Sequence, residues 1–231
     1  MSIANRLTEV RSRIAAAARS AGRDPSSVQL IAVSKTFPLD LVRAAYAAGQ
    51  RNFGENRVQE AFEKVQASPD LRIRWHLIGH LQSNKARKAA AAFAMIQSVD
   101  SLELLQKLDL AALEAGAAPE LLIQVDLAGE ATKSGVSPVE VPSILEAAVA
   151  LRAARVTGLM TLPPYPKDPE ESRPWFRRLR ELRDEWLRSG VPADMLRELS
   201  MGMSGDFEVA IQEGATMVRV GTAIFGRRQH L

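Results

Sequence analysis

The sequence predicts an α/β fold: a single (β/α)8 barrel of the TIM type with an extra helix at its N-terminus. Three observations carry this. Eight short strand-like runs, most of them rich in Val, Ile and Leu, alternate with stretches of helical periodicity. No linker or low-complexity tract divides the 231 residues, so residues 1–231 read as one domain. Nearly every polar or glycine cluster falls just after a strand, at the end where such barrels place their chemistry. The alternative is an open doubly wound sheet, but no strand is followed by the GxGxxG turn of that fold.

Ile3, Leu7, Val10 and Ile14 recur at spacings of four, three and four, an amphipathic helix ending near Ala21-Gly22. Val28 to Val33 is the first strand, bounded before by Asp24-Pro25-Ser26-Ser27 and stopped beyond Lys35 by Pro38. Leu41, Val42, Ala45 and Tyr46 mark the next helical face, which Gly49 closes. Arg51 to Gly54 is a very short second strand, and Glu55-Asn56-Arg57 leads into a helix through Val65 that Ser68-Pro69 ends. Ile73 to Ile78 is the third strand, followed by Gly79-His80-Leu81-Gln82-Ser83-Asn84-Lys85 and an alanine-rich helix.

Met95 to Val99 is the fourth strand; Asp100 with Glu103 has capping-box spacing and opens a helix that runs to Gly116. Leu121 to Asp126 is the fifth, continued by the polar loop from Gly129 to Gly135, with Pro138 starting the next helix. Arg155 to Leu159 is the sixth, followed by the proline-rich Leu162 to Pro166 and a helix lined by Trp175, Leu179, Leu182 and Trp186. Leu196 to Ser200 is the seventh, leading to Ser204-Gly205 and a helix ending at Gly214, and Thr216 to Val220 is the eighth.

Composition bounds the chemistry. With 46% hydrophobic residues there is ample material for a core. The 30 basic and 27 acidic residues are interleaved, so no basic stripe suggests nucleic acid. The absence of cysteine excludes disulfides, thiolate nucleophiles and cysteine-ligated metal, and with three histidines no metal site is expected. The N-terminus lacks the apolar core of a signal peptide and no run approaches membrane length, so a cytoplasmic protein away from membranes is the expectation.

The first strand delivers Lys35 at its C-terminal end. An ammonium at the edge of an apolar core loses hydration, and a lysine made partly neutral can attack a carbonyl and form a Schiff base. The plainer alternative is a lysine that snorkels out of a strand end. The loops after strands seven and eight are those that hold phosphate in many barrels. Ser204 reads as the N-cap of the helix that follows strand seven, beside Gly205; Gly221 permits close backbone approach and Thr222 adds a hydroxyl and an N–H. Ordinary capping explains either loop alone, whereas both together favour phosphate. Arg219 lies between Val218 and Val220 and needs a ligand or a partner if it points inward.

The segments LIAVSKTFP, FGENRVQE, WHLIGHLQSNK, QVDLAGEATKSGV, GLMTLPPY and LSMGMSGDFEVAIQEGATMVRVGTAIFG resemble, in order, the pyridoxal phosphate homeostasis protein family, over roughly residues 28 to 226. Those proteins are similar to the barrel domain of alanine racemase. The resemblance implies pyridoxal 5′-phosphate (PLP) bound covalently as a Schiff base on Lys35. It implies phosphate contacts from Ser204, Gly205, Gly221 and Thr222, with Arg219 at the pyridine nitrogen and Asn56 beside the cofactor. It also implies a role in PLP homeostasis and amino and keto acid balance, with no demonstrated reaction. PLP-dependent apo-enzymes are the implied recipients, and a monomer is expected.

Chemistry points the same way. PLP is the better electron sink when its pyridine nitrogen is protonated, and a guanidinium there opposes protonation. Racemisation needs a base on each face of the substrate α-carbon. Alanine racemase carries its second base, a tyrosine, on a separate domain, for which this sequence has no room. Of the two tyrosines, Tyr46 reads as core and Tyr165, in the loop after strand six, is the one candidate second base. His76 reads as a packed core residue and His80 as able to approach the cofactor; His230 lies in the tail. Lys85 and Lys133 are further cations near the mouth that could receive PLP in transfer. The leading reading is therefore a PLP carrier. A weak amino-acid racemase using Lys35 and Tyr165 is the second, and a sugar-phosphate enzyme with a Schiff-base Lys35 the third.

Overall fold

Parallel neighbours in a sheet need long crossovers, and this chain supplies a helix after every strand. The computed structural model describes residues 1–129 and 134–226. Helix α1 (Ile3–Ser20) leads into β1 (Gln29–Val33), then α2 (Leu39–Ala47), β2 (Asn52–Glu55), α3 (Val58–Gln66), β3 (Arg74–Leu77), α4 (Ala86–Ala92), β4 (Met95–Val99) and α5 (Leu102–Ala115). The second half adds β5 (Glu120–Gln124), α6 (Val141–Ala148), β6 (Arg155–Met160), α7 (Arg173–Arg188), β7 (Glu198–Ser200), α8 (Phe207–Gln212), β8 (Met217–Val220) and the single turn α9 (Thr222–Phe225). The eight strands close in sequence order. Closure is made by parallel pairing of β1 with β8, where Leu30 faces Val218 and Ala32 faces Val220.

Helix α1 starts on Ser2, whose hydroxyl accepts the Asn5 N–H at 3.2 Å, and it buries Leu7, Val10, Ile14, Ala17 and Ala18. That face packs on α2, α8 and α9. Because α9 is one turn long, α1 fills the place that an eighth outer helix would take. The extra N-terminal helix is thus part of the ring.

Side chains alternate between the two faces of each strand. One set packs outward under the helices, as Phe53 does against Trp75, with ring centroids 5.8 Å apart. Within the inward set, Met95, Leu122, Met160 and Met217 form a separate apolar cluster, against which Leu162 packs.

The expected strand ends hold to within one or two residues, with local corrections. Leu196 belongs to a 3-10 turn over Ala193–Leu196, so the seventh strand is only Glu198–Ser200. Pro138 lies in a turn and α6 begins at Val141. Ser101, not Asp100, caps α5, because its hydroxyl accepts the Leu104 N–H at 3.2 Å.

Candidate functional site

Two-residue periodicity carries the strands' inner face into the loops. Lys35 follows Ile31 and Val33, Asn56 follows Asn52 and Gly54, and Gly221 follows Met217 and Arg219. All of these strands end on the same side of the barrel. There a cleft of about 270 Å³ is lined by Lys35, Asn56, Ser204, Gly205, Arg219, Gly221 and Thr222. These seven are the residues singled out in the sequence, brought together from β8 and from the loops after β1, β2, β7 and β8. Its apolar walls are Val33, Phe37, Ile78, Leu162 and Met203.

Asn56 is placed by its neighbour in the next loop. A Cβ on Gly79 would lie 2.3 Å from the Asn56 carbonyl oxygen, so only glycine allows the loop after β3 to close on that peptide. Phe37, in the loop after β1, and Phe225 of α9 meet with centroids 5.2 Å apart and join the segments that follow β1 and β8.

The loop after β7 is bent by Asp206, a buried carboxylate. It accepts the Met203 N–H at 2.6 Å and the Ser172 hydroxyl at 2.8 Å. Ser204 is therefore not the N-cap expected of it. Helix α8 begins later, at Phe207, and the Ser204 hydroxyl turns to the neighbouring loop, where it accepts the Gly221 N–H at 3.2 Å. Among the described residues the N–H groups of Ser204, Gly205 and Thr222 donate to nothing. Free N–H groups from two joined loops form a concavity suited to an anion.

Arg219 is 3% exposed and points inward. Its Nη1 donates to the Ser200 hydroxyl at 2.6 Å and its Nη2 to the Thr161 carbonyl at 2.9 Å. Among the described residues it pairs with no carboxylate. Burial pushes its pKa down to about 10, against a smaller opposing pull from Asp206.

The partners continue across the barrel. The Ser200 hydroxyl donates to Gln97 Oε1 at 2.6 Å, and Gln97 Nε2 lies 3.1 Å from His76 Nδ1. An amide nitrogen can only donate, so Nδ1 is the acceptor and Nε2–H of His76 donates to Asn52 Oδ1 at 3.1 Å. His76 is fully buried, and desolvation, with Arg74 nearby, lowers its pKa to about 3. The expected packed, hydrogen-bonded histidine is thus also the far anchor of Arg219. Sequence reading missed Ser200, Thr161 and Gln97 in that chain. The signal available for it was polar residues at alternate positions of otherwise apolar strands.

The remaining candidates separate. Tyr165 lines the cleft but is 86% exposed. His80 lies outside the lining, with Nδ1 3.1 Å from Asp100 and 2.9 Å from the Ser134 hydroxyl. Lys85 is exposed in a 3-10 turn and is also outside it. Tyr46 is half-buried rather than core: Arg51 stacks on its ring at 3.9 Å and its hydroxyl accepts the Arg72 N–H. Lys133 and His230 lie outside the described residues. Among the described residues no group of three or more His, Asp or Glu could hold a metal ion, and no helix is long and apolar enough to cross a membrane.

The chain matches the family described as "Alanine racemase, N-terminal domain" over residues 6–229. It is 44% identical over 230 residues to the pyridoxal phosphate homeostasis protein of Aquifex aeolicus, covering 100% of both chains. It is 46% identical over 229 residues to that of Pseudomonas aeruginosa, covering 99% of this chain and 96% of the relative. Among solved structures, PipY of Synechococcus elongatus with PLP bound superposes with a TM-score of 0.87 at 45% identity, over 97% of this chain and 100% of that one. An alanine racemase of Clostridium difficile shares the fold, with a TM-score of 0.73 at 16% identity, over 95% of this chain and 56% of that one.

A closed barrel with a lysine at the end of β1 and two joined glycine-bearing loops beside it defines the barrel class of alanine racemase. The chain belongs to that N-terminal-domain family, among the pyridoxal phosphate homeostasis proteins.

Proposed function

We propose that this protein binds PLP in the cleft, holds it as a Schiff base on Lys35, and serves PLP homeostasis as a binding and carrier protein without substrate turnover. The observation that carries the reading is the convergence of Lys35, Arg219 and both anion-binding loops on one cleft. The donor set fits the group: an amine for the aldehyde, free N–H groups for a phosphate, and apolar walls for a ring. In this reading the phosphate lies against Ser204, Gly205, Gly221 and Thr222, with Gly221 giving close backbone approach while its N–H serves the Ser204 hydroxyl; Arg219 faces the pyridine nitrogen and Asn56 lies beside the ring. PLP bound at an amine supplies an electron sink for reactions at an amino-acid α-carbon. The residues here moderate that capacity. Arg219, anchored by neutral partners, opposes protonation of the ring nitrogen.

Proton transfer on a second face would fall to Tyr165, which is held mostly in solvent. A weak amino-acid racemase using Lys35 and Tyr165 is the second reading, favoured by Tyr165's place in the cleft lining. In the leading reading the protein is a cytoplasmic monomer that passes PLP to apo forms of PLP-dependent enzymes. The test loads the protein with PLP, mixes it with an apo-aminotransferase, and follows restored activity beside the racemisation of L-alanine. Restored activity without racemisation is expected. Racemisation that disappears in Tyr165→Phe would overturn the carrier reading in favour of the second.

A further inference from the structure

Behind Lys35, on the outer face of the barrel and outside the cleft lining, lies a buried charged cluster that the binding residues do not use. Lys64 of α3 is 7% exposed and Glu55, the last residue of β2, is 0% exposed. Lys64 Nζ donates to Glu55 Oε1 at 2.7 Å, to Glu60 Oε1 at 2.9 Å and to the Ser34 carbonyl at 2.9 Å. An ammonium has three N–H donors, and here each meets an acceptor. The Ser34 hydroxyl donates to the same Glu55 oxygen at 2.7 Å. The Thr36 N–H donates to Glu60 Oε1 at 2.6 Å. These bonds from the three charged side chains to the loop after β1 reach Ser34 and Thr36, the residues either side of Lys35.

Two features mark this as more than helix packing. Burying an ion pair contributes little stability compared with apolar side chains of the same size. Thr36 also holds φ at 67°, the only described non-glycine residue in the left-handed region. A β-branched residue is strained there and stays only if its surroundings hold it. The Glu60 bond to its N–H does so.

We propose that Lys64, bracketed by Glu55 and Glu60, is a positioning device for Lys35. It clamps the peptide group before Lys35 through the Ser34 carbonyl and the peptide group after it through the Thr36 N–H. With both fixed, the Cα–Cβ direction of Lys35 is fixed, which sets the point and direction from which its side chain enters the cleft. Capture of an aldehyde by an amine depends on that geometry. Binding of the phosphate and ring does not. This inference rests on the reading that Lys35 takes PLP covalently.

The test compares two ligands on wild type, Lys64→Met, Glu60→Ala, Thr36→Gly and the double variant Thr36→Gly/Glu60→Ala. PLP reports covalent capture, measured as borohydride-trapped Lys35 by mass spectrometry. Pyridoxine 5′-phosphate has an alcohol in place of the aldehyde and reports the cleft alone. Lys64→Met and Glu60→Ala are expected to slow PLP capture about tenfold and to leave the affinity for pyridoxine 5′-phosphate within twofold. Glycine adopts positive φ without strain, so removing Glu60 should cost much less in the Thr36→Gly background. Glu60 is partly exposed, so Glu60→Ala keeps the test alive if Lys64→Met does not fold. Variants that capture PLP at the wild-type rate would overturn the proposal, as would equal loss of both ligands or a Glu60→Ala effect unchanged in the Thr36→Gly background. A wild-type protein that traps no PLP on Lys35 would overturn the parent reading itself.

Discussion

The Ser204 hydroxyl accepts the Gly221 N–H at 3.2 Å and so joins the loop after β7 to the loop after β8. A hydroxyl accepts and donates at once, so the same group keeps its proton for an anion lying between the loops. A Cβ on Gly221 would sit 3.3 Å from the Val33 carbonyl oxygen, tighter than ordinary contact, so glycine eases the packing of this loop against β1.

Ser204→Ala should therefore weaken PLP binding about tenfold, the worth of one charge-assisted hydrogen bond of roughly 1.4 kcal/mol. Pyridoxal, which lacks the phosphate, should bind wild type and variant alike. Equilibrium titration with the two ligands checks this, and equal weakening of both would remove Ser204 from the anion site.

Arg219→Lys keeps the charge but not the fork that reaches both the Ser200 hydroxyl and the Thr161 carbonyl. It should lower folding stability by about 1–3 kcal/mol, the range for a buried polar group that loses its partner. Urea unfolding without ligand measures this. The same variant should change the visible absorption of bound PLP, since the cation facing the ring nitrogen moves.

Acid should act on His76. Its pKa is lowered from 6.5 to about 3 by burial, so the unfolded chain binds a proton more readily than the folded one over that range. The contribution of His76 is fully retained above about pH 6.5 and falls as the pH drops toward 3. Its slope is about 1.4 kcal/mol per pH unit between those values. The melting temperature of wild type should fall more steeply between pH 6 and pH 4 (roughly, inside that window) than that of His76→Gln. Parallel curves would place the acid lability elsewhere.

Tyr165→Ala should leave PLP capture within twofold of wild type, because the side chain is 86% exposed at the cleft mouth. Stopped-flow absorbance after mixing with PLP measures it.

The strands were legible because β-branched apolar runs stand between clear breakers, as Val28 to Val33 does between Pro25 and Pro38. The cleft residues were legible because each sits within a few residues of a strand end, and a barrel brings those ends together. What escaped depended on contacts distant in sequence. The Ser204 capping expectation failed because Asp206, two residues on, takes the Met203 N–H and delays the helix. Glu60 and Lys64, four apart on α3, have the spacing of an ordinary solvated pair. Only the packing of α3 beside β2 and the loop after β1 buries Lys64, which replaces an apolar residue on a stripe with Val58 and Ala61. The bridge from Arg219 to His76 joins four strands and has no local signature.

The central claim is that PLP is held covalently on Lys35, and borohydride reduction of the PLP-loaded protein tests it most directly. Wild type should show the visible absorption of a protonated imine, and reduction should fix one pyridoxyl group on the peptide that carries Lys35. Lys35→Ala should show neither. Equal labelling of wild type and Lys35→Ala, or a wild-type label that falls on other lysines and not on Lys35, would contradict the account.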